Sequence, residues 1–213
     1  LRGPDISDSE LAKSLAAFQR PTAIINCASS SAPFINKLSG TGRVVIAATR
    51  SGNEQNFAYF GDYLSAAMGD HAADLDKDGQ TSLLEAFLAA SRGVAEFYRT
   101  EARLATEHAL VDDNGDGLGT PADWFRGIRA AKHAKDGTSH DGYRAHQFVL
   151  IRSERERRIA PELIRQRNEL ELTLAGLREN KQTLPEEEYY HQLEVILLQL
   201  ALLNERSKLN EER

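Results

Sequence analysis

Sulfur and large aromatics are scarce: one cysteine (Cys27), one methionine and one tryptophan serve 213 residues. A single thiol cannot close an internal disulfide or supply a multi-cysteine zinc or iron–sulfur site. No stretch reaches the roughly 18 consecutive apolar residues of a membrane-spanning helix. Charge of one sign is also in short supply, with 32 acids against 26 Lys and Arg and a formal net charge of −6. A general nucleic-acid binder carries a basic face, so the composition argues against nucleic acid as a partner. Residues 1–10 lack the apolar stretch of a signal peptide. The chain opens on Leu1 and not on methionine, which gives the expectation of a partial or processed chain.

Glycine is almost missing from the last third. Fourteen of fifteen glycines lie before residue 152, and only Gly176 follows. This predicts two regions, 1–151 and 152–213. In the second, Ile159, Leu163, Leu170, Leu174 and Leu177 recur at helical spacing over Glu154–Lys181. Tyr189, Leu193, Ile196, Leu197, Leu200 and Leu203 do so over Pro185–Lys208. A short connection makes the two helices an antiparallel hairpin. The hairpin either packs on a protein surface or self-associates as a coiled coil.

The first region reads as α/β. A helix is expected over Ser7–Phe18, capped by Ser7 or Asp8 with Glu10 near the third position. Buried strands are expected at Thr22–Asn26 and Arg43–Thr49, with a short helix at Ala32–Leu38 between them. Continuous apolar strands separated by a helix favour a parallel sheet covered on both faces. Functional residues then collect just past the strand ends, at Asn26–Ser31 and Thr49–Glu54.

Two acidic segments carry the strongest chemical signal. Residues 74–85 read Asp-Leu-Asp-Lys-Asp-Gly-Gln-Thr-Ser-Leu-Leu-Glu. Side-chain oxygens fall at loop positions 1, 3, 5, 9 and 12 (Asp74, Asp76, Asp78, Ser82, Glu85). Gln80 at position 7 offers its backbone carbonyl, and Gly79 stands where the chain turns sharply. Calcium prefers about six to eight oxygens, and alternate residues of a tight loop point them inward. Ser82 and Glu85 also make a capping box for the next helix. Residues 112–123 repeat the pattern with Asp112, Asn114, Asp116, Leu118 (carbonyl), Thr120 and Asp123. Both segments resemble EF-hand loops, which implies bound Ca²⁺. Position 8, normally a branched apolar residue that pairs two such loops, is Thr81 in one and Gly119 in the other. The preceding helix, near Tyr59–Gly69, is expected to break at Gly61. A solvated acidic turn is the alternative, since Asp, Asn and Gly are turn residues. The two loops hold eight acids and one base, and outside them 24 acids face 25 bases. The acidity is therefore local and points to divalent cations.

Cys27 follows the first strand at once and precedes a helix. A helix N-terminus lowers a thiol pKa, and its N–H groups can hold an oxyanion. The pattern Ile24-Ile25-Asn26-Cys27-Ala28-Ser29-Ser30 resembles the strand-Cys-x-Ser-Gly-helix element of the caspase/legumain clan of cysteine peptidases, in particular bacterial legumain-like proteins. Ser30 stands in place of the motif glycine. Arg43–Glu54 looks like the strand and substrate-side loop that follow, and the similarity extends roughly over residues 4–150. The resemblance implies a partial caspase-like core, Cys27 as nucleophile, Ser29 and Ser30 beside the oxyanion site, and Arg50 and Glu54 in the specificity loop. The clan's histidine lies upstream of its cysteine. Here all six histidines (His71, His108, His133, His140, His146, His191) lie downstream of Cys27. The base would have to come from sequence before Leu1. Otherwise Cys27 is a small buried hydrophobe at a strand end.

Among the histidines, His140 beside Asp141 is the best local candidate for an oriented imidazole. His108 is expected on a helical stretch, as a surface or capping residue. Trp124 and Phe125 are expected to open a helix after the second loop as core anchors.

The expected function is thus a calcium-binding part of a caspase/legumain-like cysteine peptidase acting on peptide or protein substrates. The alternatives are a non-catalytic relative and a dockerin-like calcium module that binds a protein partner. Calcium sites of modest affinity suit a periplasmic or secreted setting.

Overall fold

A Ser-x-x-Glu box starts the chain's first helix. In α1 (Asp8–Leu15) the Ser7 hydroxyl accepts the Glu10 N–H at 3.2 Å, and Glu10 accepts the Ser7 N–H at 2.9 Å. The computed structural model describes residues 6–18, 20–132 and 138–211. It divides the chain into two units, Leu1–Ile151 and Arg152–Arg213.

In the first unit, β1 (Thr22–Asn26) leads through α2 (Pro33–Leu38) to β2 (Arg43–Ala47). The strands pair in parallel from Thr22↔Arg43 to Asn26↔Ala47. Pro33 stands at the first turn of α2, where its missing N–H has no intrahelical partner. β2 is buried on both faces because successive side chains point to opposite sides. Val44, Ile46 and Ala48 enter one core with α3 (Phe60–Met68). Val45 and Ala47 enter another, with Ile35, Leu38 and Leu11 of α2 and α1.

Gly61 does not break α3. It lies in the first turn, where a Cβ would stand 3.0 Å from the Cys27 Cβ, so glycine lets the helix lie against the end of β1. Two N–H groups at the start of α3, those of Tyr59 and Phe60, donate to the buried Glu107 carboxylate at 2.9 Å each. The Tyr98 hydroxyl also donates to it, at 3.1 Å.

A two-residue strand β3 (Thr81–Ser82) runs straight into α4 (Leu83–Thr100), started by the Ser82/Glu85 box. α4 buries Leu84, Phe87, Leu88 and Val94 on the sheet and on α3. Gly93 permits that packing, since a Cβ there would sit 2.5 Å from Tyr63 Cδ1. Phe87 is fully buried, with Phe60 and Phe125 rings at 6.1 and 6.4 Å.

The sheet is mixed, not parallel throughout. β4 (Leu110–Asp112) and β5 (Thr120–Pro121) complete the order β1-β2-β4-β5, and both added pairings are antiparallel. The reason is connectivity. After α4 the chain reaches the C-terminal end of β2, where Leu110 pairs with Ala47, so β4 can only run back along it. β6 (Phe125–Arg126) and β7 (Arg129–Ala130) form a small hairpin. Only a single 3-10 turn, Ala122–Trp124, follows the second acidic loop, where a helix was expected. Phe125 still packs on the core, from a strand. After α5 (Tyr143–Gln147), β8 (Val149–Ile151) pairs with β3. Thr81 therefore pairs with Ile151 and not with the second acidic loop. Each loop closes on its own strand partner, unlike the two loops of an EF-hand pair.

In the second unit, α6 (Glu154–Arg158) is capped by the Ser153 hydroxyl on the Glu156 N–H at 3.2 Å. α7 (Pro161–Glu179) and α8 (Glu186–Glu211) form a helical hairpin around Leu174, Leu177, Tyr189 and Ile196. Glu156 forms a two-pronged ion pair with Arg167. Leu197 departs from the expected buried stripe: it is exposed, as are Tyr190, Val195, Leu198 and Leu202. No helix among the described residues is long and apolar enough to cross a membrane.

Candidate metal centre

Residues 74–82 wrap into a tight loop between a 3-10 turn (His71–Ala73) and α4. Left-handed backbone at Lys77 (φ 64°) and Gly79 (φ 82°) makes the two reversals. Each acidic side chain accepts an N–H two or more residues on. Lys77 and Gly79 donate to the two oxygens of Asp74 at 2.7 and 3.1 Å. Asp78 donates to Asp76 at 3.2 Å and Gln80 to Asp78 at 2.8 Å. The loop these bonds hold gathers the three carboxylates, so that one oxygen from each of Asp74, Asp76 and Asp78 lies within 4.8 Å of the others. This cluster can hold a metal ion.

Glu85 closes the loop from the first turn of α4. Its Oε1 accepts Leu75 N–H at 2.7 Å, and its Oε2 accepts the Ser82 N–H and hydroxyl, both at 2.8 Å. It is 1% exposed. Gln80 turns its side-chain amide N–H to Asp78, at 2.9 Å. His146, from α5, stands over the loop with Nε2 3.6 Å from Asp76 Oδ2 and Nδ1 3.3 Å from the Ser82 hydroxyl. Burial, and then the charges of Asp78 and Glu85, push the Asp76 carboxyl above its ordinary value. Such crowding of carboxylates is relieved by a cation or by protons.

Residues 112–120 repeat the backbone grammar. Gly115 (φ 88°) and Gly117 (φ 77°) hold the positions of Lys77 and Gly79. Gly115 donates to Asp112 Oδ1 at 3.2 Å, Asp116 to Asn114 Oδ1 at 2.8 Å, and Leu118 to Asp116 Oδ1 at 2.7 Å. Gly119 is required by packing, since a Cβ would stand 2.7 Å from Leu110 Cβ and 2.8 Å from Ile35 Cδ1.

The expected twelfth residue, Asp123, is exposed on the 3-10 turn and makes none of the closing bonds among the described residues. Asp141 makes them instead. Its Oδ1 accepts the N–H of Asp113 at 2.8 Å and of Asn114 at 3.1 Å, and its Oδ2 accepts the Thr120 hydroxyl at 2.6 Å. Asp113 answers from the other side and accepts Gly142 N–H at 2.9 Å and Ala145 N–H at 2.7 Å. Burial, then the neighbouring Asp141 charge, raises the Asp112 carboxyl to about 6. Burial is also the leading cause that pushes Asp113 and Asp141 upward.

Sequence reasoning missed Asp141, Asp113 and Glu107 as structural carboxylates. It set Asp141 beside His140 as the partner of an imidazole; the carboxylate faces the second loop. The signal that was present is the Asp141-Gly142 pair. Gly142 takes φ 110°, and a Cβ there would stand 2.7 Å from Phe125 Cε1, so a fixed turn aims Asp141 inward.

At the end of β1, Cys27 is half-buried against the main core. Burial, then the charge of Asp62, pushes its thiol up, opposite to the lowering expected from a helix end. The helix is the reason: α2 starts only at Pro33, and the Ala32 N–H before it donates to Thr49 Oγ1 at 3.1 Å. The Ser30 N–H donates to the Glu54 carbonyl at 2.8 Å and the Ser29 hydroxyl to the Asn56 carbonyl at 2.6 Å. The N–H groups of Ser30 and Ala32 are thus committed to protein acceptors. Arg50 and Glu54 pair with each other at 3.3 Å, and Glu54 also contacts His108 Nδ1 at 2.6 Å. His108 lies in the irregular chain between α4 and β4, not on a helix. His133 lies outside the described residues.

No family model, no curated protein and no solved structure matches the chain.

Proposed function

We propose that the first unit is a calcium-binding α/β domain in which the ion fixes the connection between α3 and α4. The convergence of Asp74, Asp76 and Asp78 carries this reading. With Glu85, the loop gathers four negative charges. The Gln80 carbonyl and the second oxygens of the carboxylates extend the donor set toward the oxygen number that calcium prefers over magnesium. The ion would tie residues 74–80 to the first turn of α4 and leave the fold ordered for binding a protein partner. A thermal melt of the full chain tests this. At a hundredfold excess of calcium over Kd, one site raises stability by about 2.7 kcal/mol relative to chelator. An unchanged melting temperature refutes the reading.

A second reading, a caspase/legumain-like cysteine peptidase acting through Cys27, is favoured by one observation. Ser30, at the place of that clan's motif glycine, takes φ 55°, the left-handed conformation for which glycine is suited. The raised thiol pKa and the engaged N–H groups favour the non-catalytic relative over the peptidase. A peptidyl acyloxymethyl ketone decides between them. The non-catalytic reading expects no labelling of Cys27 with calcium present; stoichiometric labelling overturns it and supports the peptidase.

A further inference from the structure

We infer that residues 112–118 together with Asp141 form a second calcium site, closed by a carboxylate from outside the loop. The inference does not depend on the first site. Its starting point is Asp112. This residue is 1% exposed, and its Oδ2 is buried without a hydrogen-bond partner. Asp116 Oδ2 is in the same state. An ionised carboxylate only accepts, so a buried oxygen with no donor needs a cation or a proton.

The Asp112 oxygen is left free by a difference from the first loop. There the position-six amide, Gly79 N–H, donates to the second oxygen of Asp74. Here the corresponding amide, Gly117 N–H, donates to the Ser39 hydroxyl at 3.0 Å, and that hydroxyl in turn meets Asp112 Oδ1 at 3.2 Å. Ser39, at the end of α2, thus diverts one donor and holds the other oxygen, which leaves Asp112 Oδ2 uncommitted. The closing group matches as well. Glu85 accepts N–H groups from loop positions two and three and the hydroxyl of position nine. Asp141 accepts the same three, from Asp113, Asn114 and Thr120. Asp141 Oδ1 is taken up by its two N–H donors, whereas Oδ2 accepts only the Thr120 hydroxyl and retains a lone pair for an ion. Asp112, Asn114, Asp116, the Leu118 carbonyl and Asp141 supply an all-oxygen donor set with three negative charges, the chemistry of a hard divalent cation. An ion there would join α2, β4 and the 138–142 turn.

Equilibrium dialysis of the full chain against calcium tests the inference, with the number of ions per chain as the readout. Native protein is expected to bind two ions and Asp141→Asn one. Asp123→Asn keeps both. In Asp141→Asn a cooperative denaturation transition in chelator reports that the chain is folded, and Asp112→Asn gives an independent loss of the same ion. Asp76→Asn removes the other ion, so failure of the first site and failure of this one are separable. Full binding by both Asp141→Asn and Asp112→Asn overturns the inference. So does loss of an ion in Asp123→Asn, or a native chain whose binding is abolished by Asp76→Asn alone.

Discussion

The two acidic loops share a backbone but differ in where their last carboxylate comes from. In residues 74–85 the closing Glu85 sits in the next helical turn and also caps that helix. In residues 112–120 the closing Asp141 arrives from 21 residues past Thr120, on a turn set by Gly142. The first loop is a local unit, whereas the second is a tertiary one. Its geometry exists only when the sheet, α2 and the 138–145 segment are assembled. A local site can retain its shape when the core is disturbed, but a composite site transmits ion occupancy to every segment it joins.

The largest expected effect separates these roles. Glu85→Ala removes a buried cap as well as a candidate ligand and costs about 3 kcal/mol even in chelator, because Leu75 and Ser82 lose their acceptor. Chemical denaturation without calcium checks this. Asp141→Asn is expected to differ in kind. It removes a repulsive charge, so stability in chelator is unchanged or higher. The stabilisation by excess calcium falls by about 2.7 kcal/mol at a hundredfold excess over Kd. A large loss of stability in chelator would show Asp141 to be a structural hydrogen-bonding residue only.

The carboxylates of the second loop also give the metal-free protein a pH dependence. Asp112 titrates near 6 in the folded chain, above its ordinary 3.8. Its contribution is fully present below about pH 4 and is lost as pH rises through about 6, since the folded state must then ionise a buried group. Stability in chelator should therefore decline between about pH 4 and 7, less so in Asp141→Asn, and calcium should abolish the decline. Denaturation midpoints across that range measure it. The smallest effect belongs to Asp123→Asn, within about 0.5 kcal/mol with or without calcium, as for an exposed side chain outside any network.

Much of this contrast was legible in the sequence, and the rest was hidden for a physical reason. The loop at 74–85 reads well because ligands, turn glycine and helix cap fall in one window of twelve residues. Strand β2 reads well because its four consecutive apolar residues, Val44–Ala47, have a single use, burial on both faces. Asp123 was misread because spacing alone puts it at position twelve, whereas the chain after Thr120-Pro121 forms one 3-10 turn and a hairpin and carries Asp123 outward. The antiparallel β4 and β5 are three and two residues long, too short for periodicity to register, and their direction follows from where the chain returns to β2. The thiol of Cys27 was expected near a helix end, but the helix starts only at Pro33, and the N–H groups of Ala28, Ser30 and Ala32 turn to Asn26, Glu54 and Thr49.

The most direct measurement is a calcium titration followed by the amide resonances of Gly79 and Gly117. Each sits at the sharp turn of its loop; Gly79 donates to the Asp74 carboxylate and Gly117 to the Ser39 hydroxyl that meets Asp112. Both amides are expected to shift saturably in the native chain, and Asp141→Asn should abolish the Gly117 shift while that of Gly79 persists. Two amides that ignore calcium, or a Gly117 shift that survives Asp141→Asn, would contradict the account.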